Sequence, residues 1–216
     1  MRKGIAPPAV ACALAMTAAS VVPAGASAPA FNPGPSGATI SVVSVNGSGC
    51  PTGTAAVAVS PSRDAFTVTY SDYVAQVGGG SKPADYRKNC RIILRVHPPR
   101  GFTYAVSSAD HRTYVSLQAG AEAILRSSYY FLGASDVKEF IHRRLGPYEG
   151  TWQVTDEVQE PQLPWSPCGG EQNLNVTTEL QVNGGASDPS KVNFIAAGVF
   201  DGGGMPTYHF AWKTCP

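Results

Sequence analysis

The sequence predicts an all-β protein: an antiparallel β-sandwich, jelly-roll-like as a variant, stapled by two disulfides. Three observations predict it. Apolar and polar residues alternate with a period of two in four separate runs. Turn chemistry breaks the chain at short intervals, supplied by 23 glycines and 18 prolines. Four cysteines, Cys50, Cys90, Cys168 and Cys215, follow an N-terminus of export type.

The elements follow in order. Residues 1–28 read as a signal peptide. Arg2 and Lys3 form a positive start, residues 5–22 are apolar and uncharged, and Ala26-Ser27-Ala28 supplies the small-x-small cleavage pattern. A membrane anchor is the competing reading, but Pro7, Pro8 and Pro23 interrupt a stretch of marginal spanning length. A lipoprotein site at Cys12 leaves too little apolar sequence ahead of it. Cleavage after Ala28 would leave a chain beginning at Pro29, long enough for one well-cored domain. Residues 29–38 form a flexible Pro/Gly leader, and residues 39–216 form the single secreted β domain.

Within that domain four runs read as strands with one buried and one wet face: residues 66–71, 90–97, 173–182 and 208–213. In the second, Cys90, Ile92, Leu94 and Val96 share one side. In the third, Leu174, Val176, Thr178, Leu180 and Val182 do. Weaker strands are expected at 40–45, 55–60, 102–108, 114–118, 125–132, 137–145, 151–155 and 192–200. Residues 81–89 are the one helix candidate, limited by Pro83. Residues 119–126 have helical propensity but lead into Tyr129-Tyr130-Phe131, which favours a strand. Gly78-Gly79-Gly80, Gly146-Pro147 and Gly202-Gly203-Gly204 are read as turns.

Four cysteines allow three pairings, which sequence alone leaves open. Local pairing, Cys50 with Cys90 and Cys168 with Cys215, is the expectation, because each bridge then staples one end of the domain. A redox or nucleophilic role is disfavoured, since no Cys-x-x-Cys is present and no Cys adjoins a His.

Several stretches, taken together, resemble a known family. They include Gly47-Ser48-Gly49-Cys50-Pro51, Arg87-Lys88-Asn89-Cys90, Gly146-Pro147-Tyr148, Trp165-Ser166-Pro167-Cys168-Gly169 and the terminal Trp212-Lys213-Thr214-Cys215. In order and type they resemble the secreted domain-of-unknown-function family numbered four-three-six-zero, found in bacteria and filamentous fungi. The resemblance implies a secreted, single-domain protein with paired cysteines. It carries no catalytic residue with it.

Charge narrows the functional classes. The chain has 16 Lys and Arg against 15 Asp and Glu, and losing Arg2 and Lys3 leaves it near neutrality. No field steers nucleic acid or anionic lipid to it, so neither nucleic acid nor membrane is an expected partner after signal-peptide removal. No cofactor is expected. His97, His111, His142 and His209 form no His-x-His or His-Glu-x-x-His pattern, so no metal site is expected either.

The acids that stand out are Asp72, Asp110, Asp156 and Glu157. Solvated loop positions are their ordinary reading, and Asp110-His111 reads as a turn. Glycoside hydrolysis needs two carboxyls across a cleft. Asp156 and Glu157 are neighbours and would face opposite ways on a strand, so Asp72 or Asp156 would need a partner from another strand.

Binding aromatics are the remaining candidates: Trp165, Tyr129, Tyr130, Phe131 and Tyr148. Three consecutive aromatics on a strand put at least one outside the core. Asn46 and Asn175 match glycosylation acceptors, although the Ala/Gly/Pro-rich composition reads as bacterial.

The functional expectation is a secreted, monomeric, non-enzymatic protein that binds a cell-wall or extracellular polysaccharide, or a secreted protein. A carbohydrate-active hydrolase is the alternative. A secreted protease inhibitor presenting the 161–169 loop is a weaker one.

Overall fold

Two antiparallel sheets face each other in a computed structural model that describes Met1, residues 32–198 and residues 205–216. The signal-peptide reading, with Arg2, Lys3, Cys12 and the cleavage point at Ala28, lies outside the described residues. So does the turn at Gly202-Gly203-Gly204. The strands lie within the compact unit Phe31–Pro216.

The first sheet has the order β1-β5-β10-β7-β8. These strands are β1 (Thr39–Asn46), β5 (Arg87–His97), β10 (Gln172–Asn183), β7 (Glu122–Phe131) and β8 (Lys138–Leu145). The second sheet is built from β2 (Ala55–Val59), β3 (Ala65–Tyr70), β12 (Thr207–Thr214), β6 (Phe102–Leu117), β11 (Asn193–Ala197) and β4 (Tyr73–Val77), in that order. A seventh strand, β9 (Tyr148–Glu157), pairs with β6.

The alternation fixes which faces meet. Ile92, Leu94 and Val96 of β5 and Leu174, Val176 and Leu180 of β10 are buried from one side. Phe66, Val68, Tyr104, Tyr208 and Phe210 are buried from the other. Phe66 stacks on Tyr208 with centroids 4.6 Å apart, and Tyr104 meets Phe131 edge-on at 5.3 Å across the sandwich. Two tyrosines also cross with their hydroxyls. Tyr73 of β4 donates to the Thr178 carbonyl at 2.9 Å, and Tyr104 of β6 to the Gln172 carbonyl at 3.2 Å. Burying a phenol costs less when its polar tip finds an acceptor, and for these two rings the opposite sheet supplies it.

Both disulfides form as expected, Cys50–Cys90 and Cys168–Cys215. The first is buried, while Cys168 is exposed at the other end.

The structure corrects three readings and sharpens a fourth. The segments 102–108 and 114–118 are one sixteen-residue strand, β6, and Asp110-His111 lies inside it instead of in a turn. The sequence hid this because a bulge breaks the alternation. His209 pairs with Ser108 and Phe210 with Val106, which leaves Ser107 as the extra residue. Tyr104 and Val106 face inward before it, and Ala109, His111 and Thr113 face inward after it. The five-residue strand β4 was not expected at all. The helix candidate shrinks to a single 3-10 turn, Pro83–Tyr86, after which β5 begins. Residues 119–121 make a turn at Gly120, and β7 starts at Glu122.

Candidate functional site

The most unusual chemistry lies between the sheets. Asp156 of β9 is fully buried. It shares an inward face with Trp152, while Glu157 points to solvent. Four side chains from three other strands converge on its carboxylate. His111 of β6, turned inward by the Ser107 bulge, places Nε2 2.8 Å from Oδ2. Ser127 and Tyr129, two residues apart on the inner face of β7, both donate their hydroxyls to Oδ2. His142 of β8 places Nε2 2.6 Å from Oδ1.

Burial alone would raise the Asp156 pKa. The hydrogen bond and charge of His111, with the Ser127 and Tyr129 hydroxyls, outweigh it and hold the pKa at about 2. An ionised carboxylate only accepts, so both imidazoles present Nε2–H to it. Burial and the adjacent Asp156 charge push the Tyr129 phenol well above its ordinary value, so it stays a donor.

This constellation contains a serine, two histidines and an aspartate, but in the wrong order for a nucleophile. A triad needs imidazole between hydroxyl and carboxylate, so that the base removes the hydroxyl proton. Here Ser127 gives its hydrogen bond directly to Asp156. The carboxylate is fully occupied and sealed. The arrangement ties β7 and β8 of one sheet to β6 and β9 of the other. Among the described residues no group of three His, Cys, Asp or Glu side chains could hold a metal ion.

A second feature is open to solvent. The outer face of the five-stranded sheet carries a recess of about 310 Å³ on β5, β10, β7 and β8. Arg87, Arg126, Ser128, Glu139, Thr177, Glu179 and Gln181 line it. Glu179 sits between two arginines, 2.5 Å from Arg87 and 3.7 Å from Arg126. The Thr177 hydroxyl is buried and has no hydrogen-bond partner among the described residues. Register extends the row: Thr177 lies between Arg91 and Ser128, Asn175 between Ile93 and Tyr130, and Asn173 beside Arg95.

The family model for a domain of unknown function, DUF4360, matches residues 36–215, which include the twelve strands of the described residues. The chain belongs to the DUF4360 family. An uncharacterized secreted protein of Arthroderma benhamiae is 31% identical over 183 residues, covering 85% of this chain and 74% of the relative. Among the described residues no helix is long and apolar enough to cross a membrane.

The cysteine-flanking motifs that carried the resemblance to DUF4360 occupy both disulfides. The aromatic candidates scatter. Tyr129 and Phe131 are core residues, each about 2% exposed, which removes them from any surface platform. Tyr130 lies on the outer face of the five-stranded sheet, half-buried. Tyr148 sits under the Arg144 guanidinium at 4.6 Å, and Trp165 under the Lys213 ammonium at 3.9 Å. These five residues do not make one strip.

The acids separate too. Asp72 is exposed and lines a different recess, with Asp85 and Lys88. Asp156 is no loop acid, and none of its partners is a carboxyl. The 161–169 loop is tied down along its length. Leu163 and Ser166 are buried, Ser166 N–H donates to the Tyr104 carbonyl at 2.8 Å, and Gly169 N–H to that of Phe102 at 3.0 Å. An inhibitory loop needs its central side chains presented outward, so this packing disfavours that role. The buried cluster around Asp156 was missed because its members are 45 residues apart at the widest and each looked ordinary alone. The one available signal was the inverted pattern of β8, whose inward positions include His142 and Arg144.

Proposed function

We propose that this DUF4360 protein is an extracellular binding module that holds a hydroxyl-rich polymer on the outer face of its five-stranded sheet. The observation that carries this reading is the recess itself. It is a sheet face built of hydroxyls, amides and an Arg-Glu-Arg bridge. A polysaccharide offers many hydroxyls that both donate and accept, and such a face satisfies them without requiring a deep apolar pocket.

Carboxyl electrostatics favour binding over hydrolysis. A glycoside-cleaving acid needs a raised pKa to deliver its proton near neutrality. The resolved shifts of Asp64, Asp85, Asp156 and Asp188 all run downward. Asp85, which shares the second recess with Asp72, is held low by Lys88 and by the Lys82 backbone N–H. The secreted relative supports looking for a partner outside the cell.

Co-sedimentation of the secreted protein with cellulose, chitin, β-glucan and pectin tests the reading. Retention on at least one polymer is expected. It should fall on combining Thr177→Val with Ser128→Ala, which remove two hydroxyls from the face. Retention on none, or retention that ignores the double substitution, defeats the proposal.

A further inference from the structure

Charge on the outer face is unevenly compensated. Around the recess each cation has an acid: Arg87 and Arg126 share Glu179, and Arg143 holds Glu122 at 2.9 Å. Further along β5 the pattern changes. Arg91 and Arg95 point outward, are exposed, and have no ion pair among the described residues. Their cross-strand neighbours are neutral: Asn46 and Thr177 flank Arg91, and Ser41 and Asn173 flank Arg95. Between them stand Ser44, Ile93, the buried amide of Asn175 and the half-buried ring of Tyr130.

Resting on the binding reading above, we propose that the polymer is a polysaccharide bearing carboxylates, a uronate chain. Its carboxylates pair with Arg91 and Arg95, and its hydroxyls with Asn173, Thr177 and Ser128. Charge complementarity selects an anion: two exposed guanidiniums without acids attract one, and their planar forks match a carboxylate with two parallel hydrogen bonds. The neutral groups between them select a sugar over a bare polyanion. A bare polyanion only accepts, so it would leave the amide and hydroxyl oxygens of this face without donors, which sugar hydroxyls supply. Spacing selects a chain. Residues four apart on a strand stand roughly 13 Å apart, so the two arginines take anions a few sugars apart along one polymer.

Polygalacturonate, the same chain fully methyl-esterified, and inorganic polyphosphate are the three probes, each measured by retention at low and moderate salt. Polygalacturonate should bind most tightly, weakening with salt because exposed charges are screened. Esterification removes the charge and keeps the sugar, and should weaken binding on the order of tenfold. The Arg91→Gln/Arg95→Gln double variant should lose a similar factor, and both sites are exposed, so the fold is not at stake.

Equal binding of ester and acid, unchanged in the double variant, overturns the uronate inference and leaves the polysaccharide reading standing. Polyphosphate binding as tightly as polygalacturonate overturns the sugar part of the inference. Retention of none of the three overturns the uronate inference. The reading beneath it falls only if the neutral polymers fail as well, or if retention ignores the Thr177→Val/Ser128→Ala substitution.

Discussion

His142 and Asp156 lie on strands that follow one another in the chain yet belong to different sheets, and His142 Nε2 is 2.6 Å from Asp156 Oδ1. β8 ends the five-stranded sheet, and β9 pairs with β6 in the other. An open side of a sandwich is where two sheets can splay, because no further strand holds them together. A hydrogen bond to a buried carboxylate there fixes the spacing of the two end strands. Asp156 accepts three more hydrogen bonds, from His111, Ser127 and Tyr129, so the fastening is shared by four strands.

Replacing Asp156 should therefore destabilise the fold severely. Asp156→Asn keeps the shape but turns an amide N–H₂ toward donors and leaves two buried imidazoles without their carboxylate. A loss of about 3 kcal/mol or more is expected. Tyr129→Phe removes only one of four donors and should cost about 1 kcal/mol. Urea unfolding of both variants checks the ranking. Near-equal losses would mean that the carboxylate is not the hub.

The same carboxylate sets an acid limit. Its pKa in the fold, about 2, lies below the ordinary 3.8. Its contribution is therefore complete above about pH 4 and disappears as pH falls from about 4 towards 2, where protonation releases the donors. The difference corresponds to about 2 kcal/mol. Unfolding free energy measured between pH 6 and pH 2 should fall across that window. In Asp156→Asn this part of the slope should vanish.

The bridges should open in a set order. Each closes a loop of 40 or 47 residues, worth about 4 kcal/mol on the loop-entropy account, so neither is dispensable by size. Access separates them. Cys50 and Cys90 are buried, whereas Cys168 is exposed. Exchange begins with a thiolate reaching a sulfur, so a mild reductant should open Cys168–Cys215 first. Alkylation followed by peptide mapping reads the order, and simultaneous labelling of all four cysteines would contradict it.

Much of the sheet scaffold was legible. Regular alternation in β3, β5, β10 and β12 identified the strands and their buried faces, because a period of two has one reading when a strand is unbroken. It failed where geometry interrupts the period. One extra residue at Ser107 reverses the phase of β6, so His111 looked like part of a turn although it lies in a strand core. The Asp156 cluster was illegible for a related reason. It draws five residues from four strands, and no local pattern announces which inward positions meet. The outer-face recess was hidden likewise, since Arg87, Arg126 and Glu179 come together only through strand order.

The motif Gly47-Ser48-Gly49-Cys50 was legible as a turn, but its glycines answer to packing. A Cβ on Gly49 would lie 2.1 Å from the Tyr73 ring, and one on Gly47 would lie 2.2 Å from the Asn89 carbonyl oxygen. Tyr73 cannot yield readily. It is buried and its hydroxyl is bonded to Thr178 in the opposite sheet. Gly49→Ala should thus cost about 3 kcal/mol through overpacking. Gly53, two residues beyond the Cys50-Pro51 pair that closes the motif, has φ near +87° and open space around its Cβ position. Gly53→Ala meets only the left-handed backbone penalty, about 1 kcal/mol. Shortening the ring should separate the two causes. In a Tyr73→Ala background, Gly49→Ala should become nearly neutral while Gly53→Ala keeps its cost, a coupling that a double-mutant cycle by thermal unfolding measures directly. An unchanged Gly49→Ala cost in that background would place the strain in the backbone instead of against Tyr73.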